Sequence, residues 1–377
     1  MDIDPVLKAL AAALHGEGPA VEIIVSADGA PHAIAVPTPG FEDAAVVVRT
    51  SGSTGTPKAT VLGVEELAAS SMATAMALRG EGQWLLALPL QFVAGVQVLV
   101  RSLFAGTRPW VMDLSGGFTP EAFTTAAEEL TDTTRFTALV PTQLQRLLDS
   151  PSPETLAVLR RFNGILLGGA PASAALLGAA KDAGLKVVST YGSAETCGGC
   201  VYDGTPLEGV QVRIDDDGRI LLGGDTVASG YLDAPEASAG AFFEEDGVRW
   251  YRTNDLGELS ADGTLTVLGR ADDVIVTGGV KASAAFIQAE LEKLDGVTAA
   301  FVAGVPSREW GQAVAAYVAV EDSSAESIES YKARSQDVLG TLAPKTILTT
   351  DGLIMLPNGK PDRLAMIELL TEVHQGE

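Results

Sequence analysis

Thr50-Ser51-Gly52-Ser53-Thr54-Gly55-Thr56-Pro57-Lys58 decides the reading of this chain. It follows the apolar run Val46 to Val48, precedes a segment of helical character, and gathers hydroxyls, glycines and one lysine. Glycine lets backbone N–H groups turn toward an anion, Ser and Thr add donors, and lysine adds a mobile positive charge, so the stretch suits a phosphate-wrapping loop. It is not a P-loop. That pattern needs Gly-Lys-Ser/Thr at a fixed spacing, whereas Pro57 precedes Lys58 and Ala59 follows. Taken alone, a solvated Gly/Ser/Thr turn is the competing reading.

Composition narrows the choice. A chain of 377 residues with 46% hydrophobic content can bury a large core and form two domains. Its formal charge of −24, from 49 acidic against 25 basic residues, argues against nucleic acid or an anionic membrane as partner. Nine lysines occur, so two of them in motif loops, Lys58 and Lys360, stand out. The opening Met1-Asp2-Ile3-Asp4-Pro5 lacks the basic and apolar runs of a signal peptide, and no apolar run is long enough to span a bilayer. A cytoplasmic location without membrane insertion is expected. Cys197 and Cys200 stand at C-x-x-C spacing, but no second Cys/His pair exists, and His15, His32 and His374 lie away from every motif. That pattern predicts neither zinc nor haem and disfavours Ser-His-Asp or Cys-His catalysis.

Along the chain, Trp84 to Leu88, Thr137 to Val140, Ile165 to Leu167 and Val187 to Thr190 read as strands. Val64 to Leu78, Val96 to Leu103, Pro120 to Leu130 and Gln143 to Leu148 read as helices between them. The alternation predicts an α/β fold with parallel, helix-covered sheets, whose ligands lie beyond the strand ends. Residues 201–269 change to short strands with Asp-Gly and Gly-Gly turns, a small β layer. A compact α+β unit follows, with helices Phe286 to Leu294 and Ile328 to Leu339 and strands Ala299 to Ala303, Val314 to Val320 and Thr346 to Thr349.

Four further motifs follow the opening loop in order: Ser189-Thr190-Tyr191-Gly192-Ser193-Ala194-Glu195-Thr196, Tyr251-Arg252-Thr253-Asn254-Asp255-Leu256-Gly257, Gly269-Arg270-Ala271-Asp272-Asp273, and Pro357-Asn358-Gly359-Lys360-Pro361-Asp362-Arg363. Together they resemble the adenylate-forming superfamily of acyl-CoA synthetases, luciferases and peptide-synthetase adenylation domains. Leu88-Pro89-Leu90-Gln91-Phe92-Val93-Ala94-Gly95 and Glu195-Thr196-Cys197-Gly198-Gly199-Cys200 resemble, within it, the o-succinylbenzoate–CoA ligases of menaquinone biosynthesis. The resemblance implies an AMP-forming acid–CoA ligase that uses ATP, Mg²⁺ and coenzyme A with a small-molecule acid. Handing the adenylate to a carrier-protein thiol is the alternative outcome. It also implies an adenylation domain over residues 1–270, a mobile smaller domain over 271–377, and a hinge at Asp272. A homodimer is compatible with the sequence but not required by it.

Residue roles follow from the same resemblance, each beside a plainer reading. Thr50, Ser51, Gly52, Ser53, Thr54, Gly55 and Lys58 would wrap the phosphates. Lys360 would be the catalytic lysine, since a compact charge can follow a transferring phosphoryl group, where a turn lysine is otherwise solvated. Glu195 would hold Mg²⁺ and the Thr196 hydroxyl the α-phosphate. Tyr191 and Gly192 would meet adenine, although such a tyrosine is often core. Asp255 would accept from the ribose hydroxyls with Arg270 nearby, although turn aspartates often serve local backbone. Gly169, Ala170 and Pro171 would contact ATP, and Gly168 and Ser193 the acyl group, in what is otherwise a plain turn. Gly278, Gly279 and Lys281 would meet coenzyme A. Two features depart from the family. The loop begins at residue 50, which predicts a shortened amino-terminal region with little wall for a long alkyl tunnel. Gln91 stands where relatives commonly carry histidine, keeping a donor but not a proton that titrates near neutrality. Arg101 would pair with a second substrate carboxylate, or else be an exposed helical arginine.

Overall fold

The computed structural model describes residues 2–26, 29–50, 58–320, 328–356 and 361–376. The chain forms two compact units: one comprises Met1–Arg213, Leu221–Thr253 and Leu259–Leu265, the other Ile214–Ile220, Asn254–Glu258 and Thr266–Glu377.

The larger unit is built on a seven-stranded sheet and a five-stranded sheet. In the first, Trp110–Val111, Gln83–Leu86, Arg135–Leu139, Gly164–Leu167 and Val187–Ser193 lie side by side in parallel. The inner strands Gln83–Leu86, Arg135–Leu139 and Gly164–Leu167 are buried on both faces, and the period of two splits them cleanly. Leu85, Leu139, Ile165 and Leu167 join Phe123, Leu144, Leu159 and Phe162 in one core, while Trp84, Leu86, Phe136, Ala138 and Leu166 join Leu67, Val96, Val98 and Leu99 in the other. Each face is thus covered by helices, as the sequence alternation predicts.

The opening loop belongs elsewhere. Ala44–Thr50 and Lys58–Gly63 form an antiparallel pair in the five-stranded sheet, with Thr50 opposite Lys58. The segment after the loop is therefore first a strand, and the helix Val64–Ala77 starts only beyond Gly63. This corrects the expected helical continuation: Ala59-Thr60-Val61-Leu62 has the β-branched, fully buried character of an inner strand.

A third sheet contains Val210–Ile214, Arg219–Gly224, Val248–Leu259, Phe242–Glu245 and Leu265–Arg270, the small β layer read from the Asp-Gly and Gly-Gly turns. The division between units runs through four of these strands. In the smaller unit, Val280–Ser283, Val274–Thr277, Gly311–Val320 and Val297–Ser307 form a sheet that Thr346–Thr350 joins in parallel. Alternation again decides the layers. Ala300, Val302, Val314, Ala316 and Val318 pack against the helices Ala284–Leu291 and Ile328–Leu339, while Phe301, Ala303, Ala315 and Tyr317 pack against Met366 and Leu370 of Arg363–Gly376. Among the described residues no helix is long and apolar enough to cross a membrane.

Candidate active site

In the larger unit the parallel strands end in the motif segments. Gly164–Leu167 runs into Gly168-Gly169-Ala170-Pro171, and the Thr190 hydroxyl of the neighbouring strand donates to the Leu167 carbonyl at 3.2 Å. A Cβ at Gly168 would stand 2.4 Å from that Thr190 oxygen, so only glycine lets the two strand ends approach. Gly169 and Pro171 are exposed and Ala170 is half-buried. The adjacent strand Val187–Ser193 carries Tyr191, half-buried, and Gly192, exposed.

A short 3₁₀ turn, Ala194–Thr196, follows and sets Glu195 into the interior at 7% exposure. Leaving a buried carboxylate without partners would cost about 1–3 kcal/mol or more. The partner is Tyr231, whose hydroxyl donates to Glu195 Oε1 at 2.8 Å. Lys58 Nζ lies over the same tyrosine ring, 4.8 Å from its centroid. Lys58 and Glu195, far apart in sequence, therefore meet on one aromatic side chain. Burial, and then the neighbouring Glu195, push the Tyr231 phenol well above its ordinary value, so it keeps its proton and remains a donor at neutral pH.

Thr196 is placed differently from the expectation. Its hydroxyl donates to the Gly198 carbonyl at 2.8 Å and accepts from the Ser193 N–H at 3.0 Å, and the residue is fully buried. That hydroxyl is occupied in holding the turn. The neighbouring Ser193 Oγ, by contrast, is a buried oxygen without a hydrogen-bond partner among the described residues. Gln97 Nε2 and the Ser70 hydroxyl both donate to the Cys197 carbonyl, at 2.5 and 3.2 Å, fixing the left-handed residue that closes the turn. Cys197 and Cys200 are free, buried thiols, and burial raises both pKa values, Cys200 to about 12. They serve as small apolar filling here.

Gln91 lies in the turn between the strand Gln83–Leu86 and the helix Val93–Phe104, with its Oε1 buried and without a hydrogen-bond partner among the described residues. Gly95 abuts Pro89 at the start of that helix. Arg101 lies near the other end, about 9 Å further along the axis. It is not exposed as a helical surface arginine would be: it is 6% exposed, and its guanidinium lies 5.2 Å from the Trp84 ring centroid. Trp84 stands at the start of its parallel strand, the end opposite Gly168 and Tyr191, so this contact gives Arg101 a packing role beside the expected acid-pairing one. Arg101 Nε is buried with no hydrogen-bond partner among the described residues, so an apolar side chain of similar length removes an unsatisfied group without leaving another. Arg101→Met is accordingly expected not to lower Tm, checked by thermal unfolding, and steady-state kinetics with the acid separate the two roles, since only loss of the acid pairing raises KM.

In the smaller unit, Arg270 forms a two-pronged pair with Asp272, with both contacts at 2.7 Å, and its Nη1 lies 3.9 Å from half-buried Asp255. The hydrogen bonds that Arg270 donates to Asp272, and then the charges of Asp272 and Asp255, hold the guanidinium pKa above its usual value against some desolvation. Asp273 pairs with Arg363. Gly278 and Gly279 are the two-residue turn of the hairpin Val274–Thr277 and Val280–Ser283, both at positive φ (55° and 83°), which that turn type requires. Lys281 is exposed beside it. Ser51, Gly52, Ser53, Thr54 and Gly55 of the opening loop, and Lys360, lie outside the described residues; Thr50 is the last residue of its strand.

Among the described residues no group of three or more His, Cys, Asp or Glu could hold a metal ion. Glu195 nevertheless suits Mg²⁺ delivered with a nucleotide, because that ion is usually held by one or two carboxylates plus substrate phosphates. Its Oε1 is fixed by Tyr231, and Oε2 has no hydrogen-bond partner among the described residues. Sequence reading missed Tyr231. Gly230-Tyr231 looks like any strand end, and only the fold brings it to Glu195.

The antiparallel strands on either side of the glycine-rich segment, a buried carboxylate and a helix-covered parallel sheet stand together in the larger unit. Residues 4–232 match the family model described as AMP-binding enzyme, and the chain belongs to that family. A relative from Mycobacterium tuberculosis (strain ATCC 25618 / H37Rv), named a probable 2-succinylbenzoate–CoA ligase, is 40% identical over 332 residues, covering 86% of this chain and 84% of the relative. The 2-succinylbenzoate–CoA ligase of Enterococcus faecalis (strain ATCC 700802 / V583) is 32% identical over 302 residues, 74% of this chain and 60% of that protein. Among solved structures, o-succinylbenzoate CoA synthetase from Bacillus subtilis in complex with its acyl-adenylate intermediate matches with a TM-score of 0.73 and 25% identity, covering 90% of this chain and 72% of that one. ATP-bound MatB from Rhodopseudomonas palustris matches with a TM-score of 0.77 and 26% identity, covering 92% and 72%.

Proposed function

We propose that this chain is an ATP-dependent acid–CoA ligase that converts 2-succinylbenzoate, through its acyl-adenylate, to the CoA thioester. The observation that carries the chemistry is the meeting of Lys58 and Glu195 on Tyr231 beside the glycine-rich loop. The substrate rests on the names of the relatives. In the first half-reaction a carboxylate oxygen attacks the α-phosphorus and pyrophosphate leaves. In the second, the CoA thiol attacks the acyl carbon, loses its proton, and AMP leaves.

Neither step asks for a protein nucleophile. Both ask for charge placed where charge develops. Thr50 to Gly55 and Lys58 hold the β- and γ-phosphates as pyrophosphate departs. Magnesium, when bound, neutralises phosphate charge, and Glu195 is the side chain that would hold it. Ser193, whose buried hydroxyl has no hydrogen-bond partner among the described residues, faces the acyl group and also shares the α-phosphate with Thr196. Tyr191 with Gly192 offers a surface to adenine, Gly168 to Pro171 line the approach of base and acyl group, and Gln91 orients the acid. Lys360 supplies the mobile charge for adenylation, Gly278, Gly279 and Lys281 receive coenzyme A, and Asp272 is the hinge at which residues 271–377 reorient between the half-reactions.

Asp255 and Arg270 bind the ribose. Such contacts are shared by ground and transition states, so Asp255→Ala is expected to raise KM for ATP about tenfold with kcat within about threefold, read from initial rates at varied ATP. The reading as a whole is tested by ATP–pyrophosphate exchange. Exchange must depend on the acid and proceed without CoA, and thioester must form only once CoA is added. Exchange without any acid, or thioester without pyrophosphate release, would contradict it.

A further inference from the structure

Tyr231 connects parts of the molecule that no sequence motif links. Its ring is 2% exposed, carries Lys58 Nζ over its face and meets Phe242 edge-on at 5.2 Å. Its backbone is pinned. Gly230–Tyr231 pairs antiparallel with the strand that leaves the glycine-rich loop, Tyr231 opposite Thr60 and Gly230 opposite Val61. The flanking N–H groups of Ser229 and Leu232 donate to the Val61 and Ala59 carbonyls at 3.1 and 2.8 Å, and the Ala228 N–H donates to the Glu195 carbonyl at 2.9 Å. The Ser238 hydroxyl accepts from the Tyr231 N–H at 2.9 Å and donates to the Ala234 carbonyl at 2.9 Å. A side chain held this firmly can hold others.

We propose that Tyr231 is a positioning residue for the nucleotide chemistry: its hydroxyl fixes Glu195 by Oε1 so that Oε2 is presented to the magnesium entering with ATP, and its ring seats the Lys58 ammonium where the loop ends. This rests on the ligase reading above for the identity of the ligand. A neutral phenol suits the task because it locks the carboxylate rotamer without cancelling its charge, whereas a lysine or arginine at that place would compete with the metal. Partners that orient a metal-holding side chain commonly matter about 10–100-fold in metal affinity or activity.

The test is a double-mutant cycle of Tyr231→Phe and Glu195→Gln, read by two measurements: calorimetric ATP affinity with and without magnesium, and the magnesium dependence of ATP–pyrophosphate exchange. Phenylalanine keeps the ring under Lys58 and against Phe242, so ATP affinity in chelator is expected to stay within about twofold, while the magnesium-dependent gain in affinity falls about tenfold. In the Glu195→Gln background the second substitution is expected to add less than about twofold, because both act through one carboxylate. Unchanged magnesium dependence in Tyr231→Phe, or effects that multiply fully in the double variant, would overturn the proposal. If Tyr231→Phe fails to fold, Glu195→Asp, which withdraws the carboxylate from the phenol, must show the same loss of magnesium dependence. Exchange that fails with every acid in the wild type would sink the ligase reading, while the calorimetric cycle still decides Tyr231.

Discussion

Glutamine at position 195 is expected to lower the maximal adenylation rate by about a hundredfold and to raise the magnesium concentration needed for half-maximal activity. The amide keeps a carbonyl oxygen for the Tyr231 hydroxyl, so the buried contact at 2.8 Å survives and the fold should too. What is lost is the negative charge at the second oxygen. Because that charge matters most as the α-phosphorus is attacked, kcat and kcat/KM should fall together while KM for the acid moves little. Exchange rates measured across a magnesium series check this, with the melting temperature as control. A Glu195→Gln enzyme with the wild-type magnesium profile would remove Glu195 from the metal role.

Lys360→Ala should separate the two half-reactions. The lysine closes the sequence Pro357-Asn358-Gly359-Lys360, and its proposed part is to meet charge on the transferring phosphate. Removing one such transition-state contact costs about a hundredfold or more in adenylation. Conversion of supplied acyl-adenylate and CoA to thioester should be mostly intact, since in the proposed division of labour Lys360 serves only the first half-reaction and the reorientation at Asp272 brings Gly278, Gly279 and Lys281 to the second. Single-turnover measurement of each half-reaction decides it; equal damage to both would show that Lys360 does not divide the work in this way.

How much of this was legible in the sequence depends on whether the signal was local. The parallel strands could be read because burial on both faces forces continuous apolar runs such as Ile165 to Leu167, and the helix Ile328–Leu339 because its ends and its apolar spacing agree. The hairpin around the opening loop was not legible. The helix was placed from Val64, where it begins, but Ala59 to Leu62 lacks the apolar/polar alternation of a half-buried strand, so pattern alone does not mark a strand ahead of that helix. The helix Arg363–Gly376, whose weak apolar stripe reduces to Met366 and Leu370, was missed as well.

The site follows the same rule. Glu195, Asp255 and Arg270 could be singled out from short motifs, but the part each side chain plays in the fold could not. Thr196 reads as a free hydroxyl in sequence, yet its own turn occupies it, leaving Ser193 with the oxygen that has no partner among the described residues. Arg101 reads as a solvent-facing or acid-pairing arginine, yet it is packed on Trp84. The Tyr231 contact with Glu195 joins residues 36 apart across two different sheets, a pairing fixed only by tertiary structure.

The central claim, that this chain activates 2-succinylbenzoate for transfer to coenzyme A, is tested most directly by comparing kcat/KM for CoA-thioester formation across a panel of 2-succinylbenzoate, benzoate, and medium- and long-chain fatty acids under one set of conditions. The account predicts that 2-succinylbenzoate exceeds each of the others by at least about tenfold, because a site built to hydrogen-bond polar oxygens rejects analogues that lack them. A higher value for any fatty acid than for 2-succinylbenzoate would contradict it.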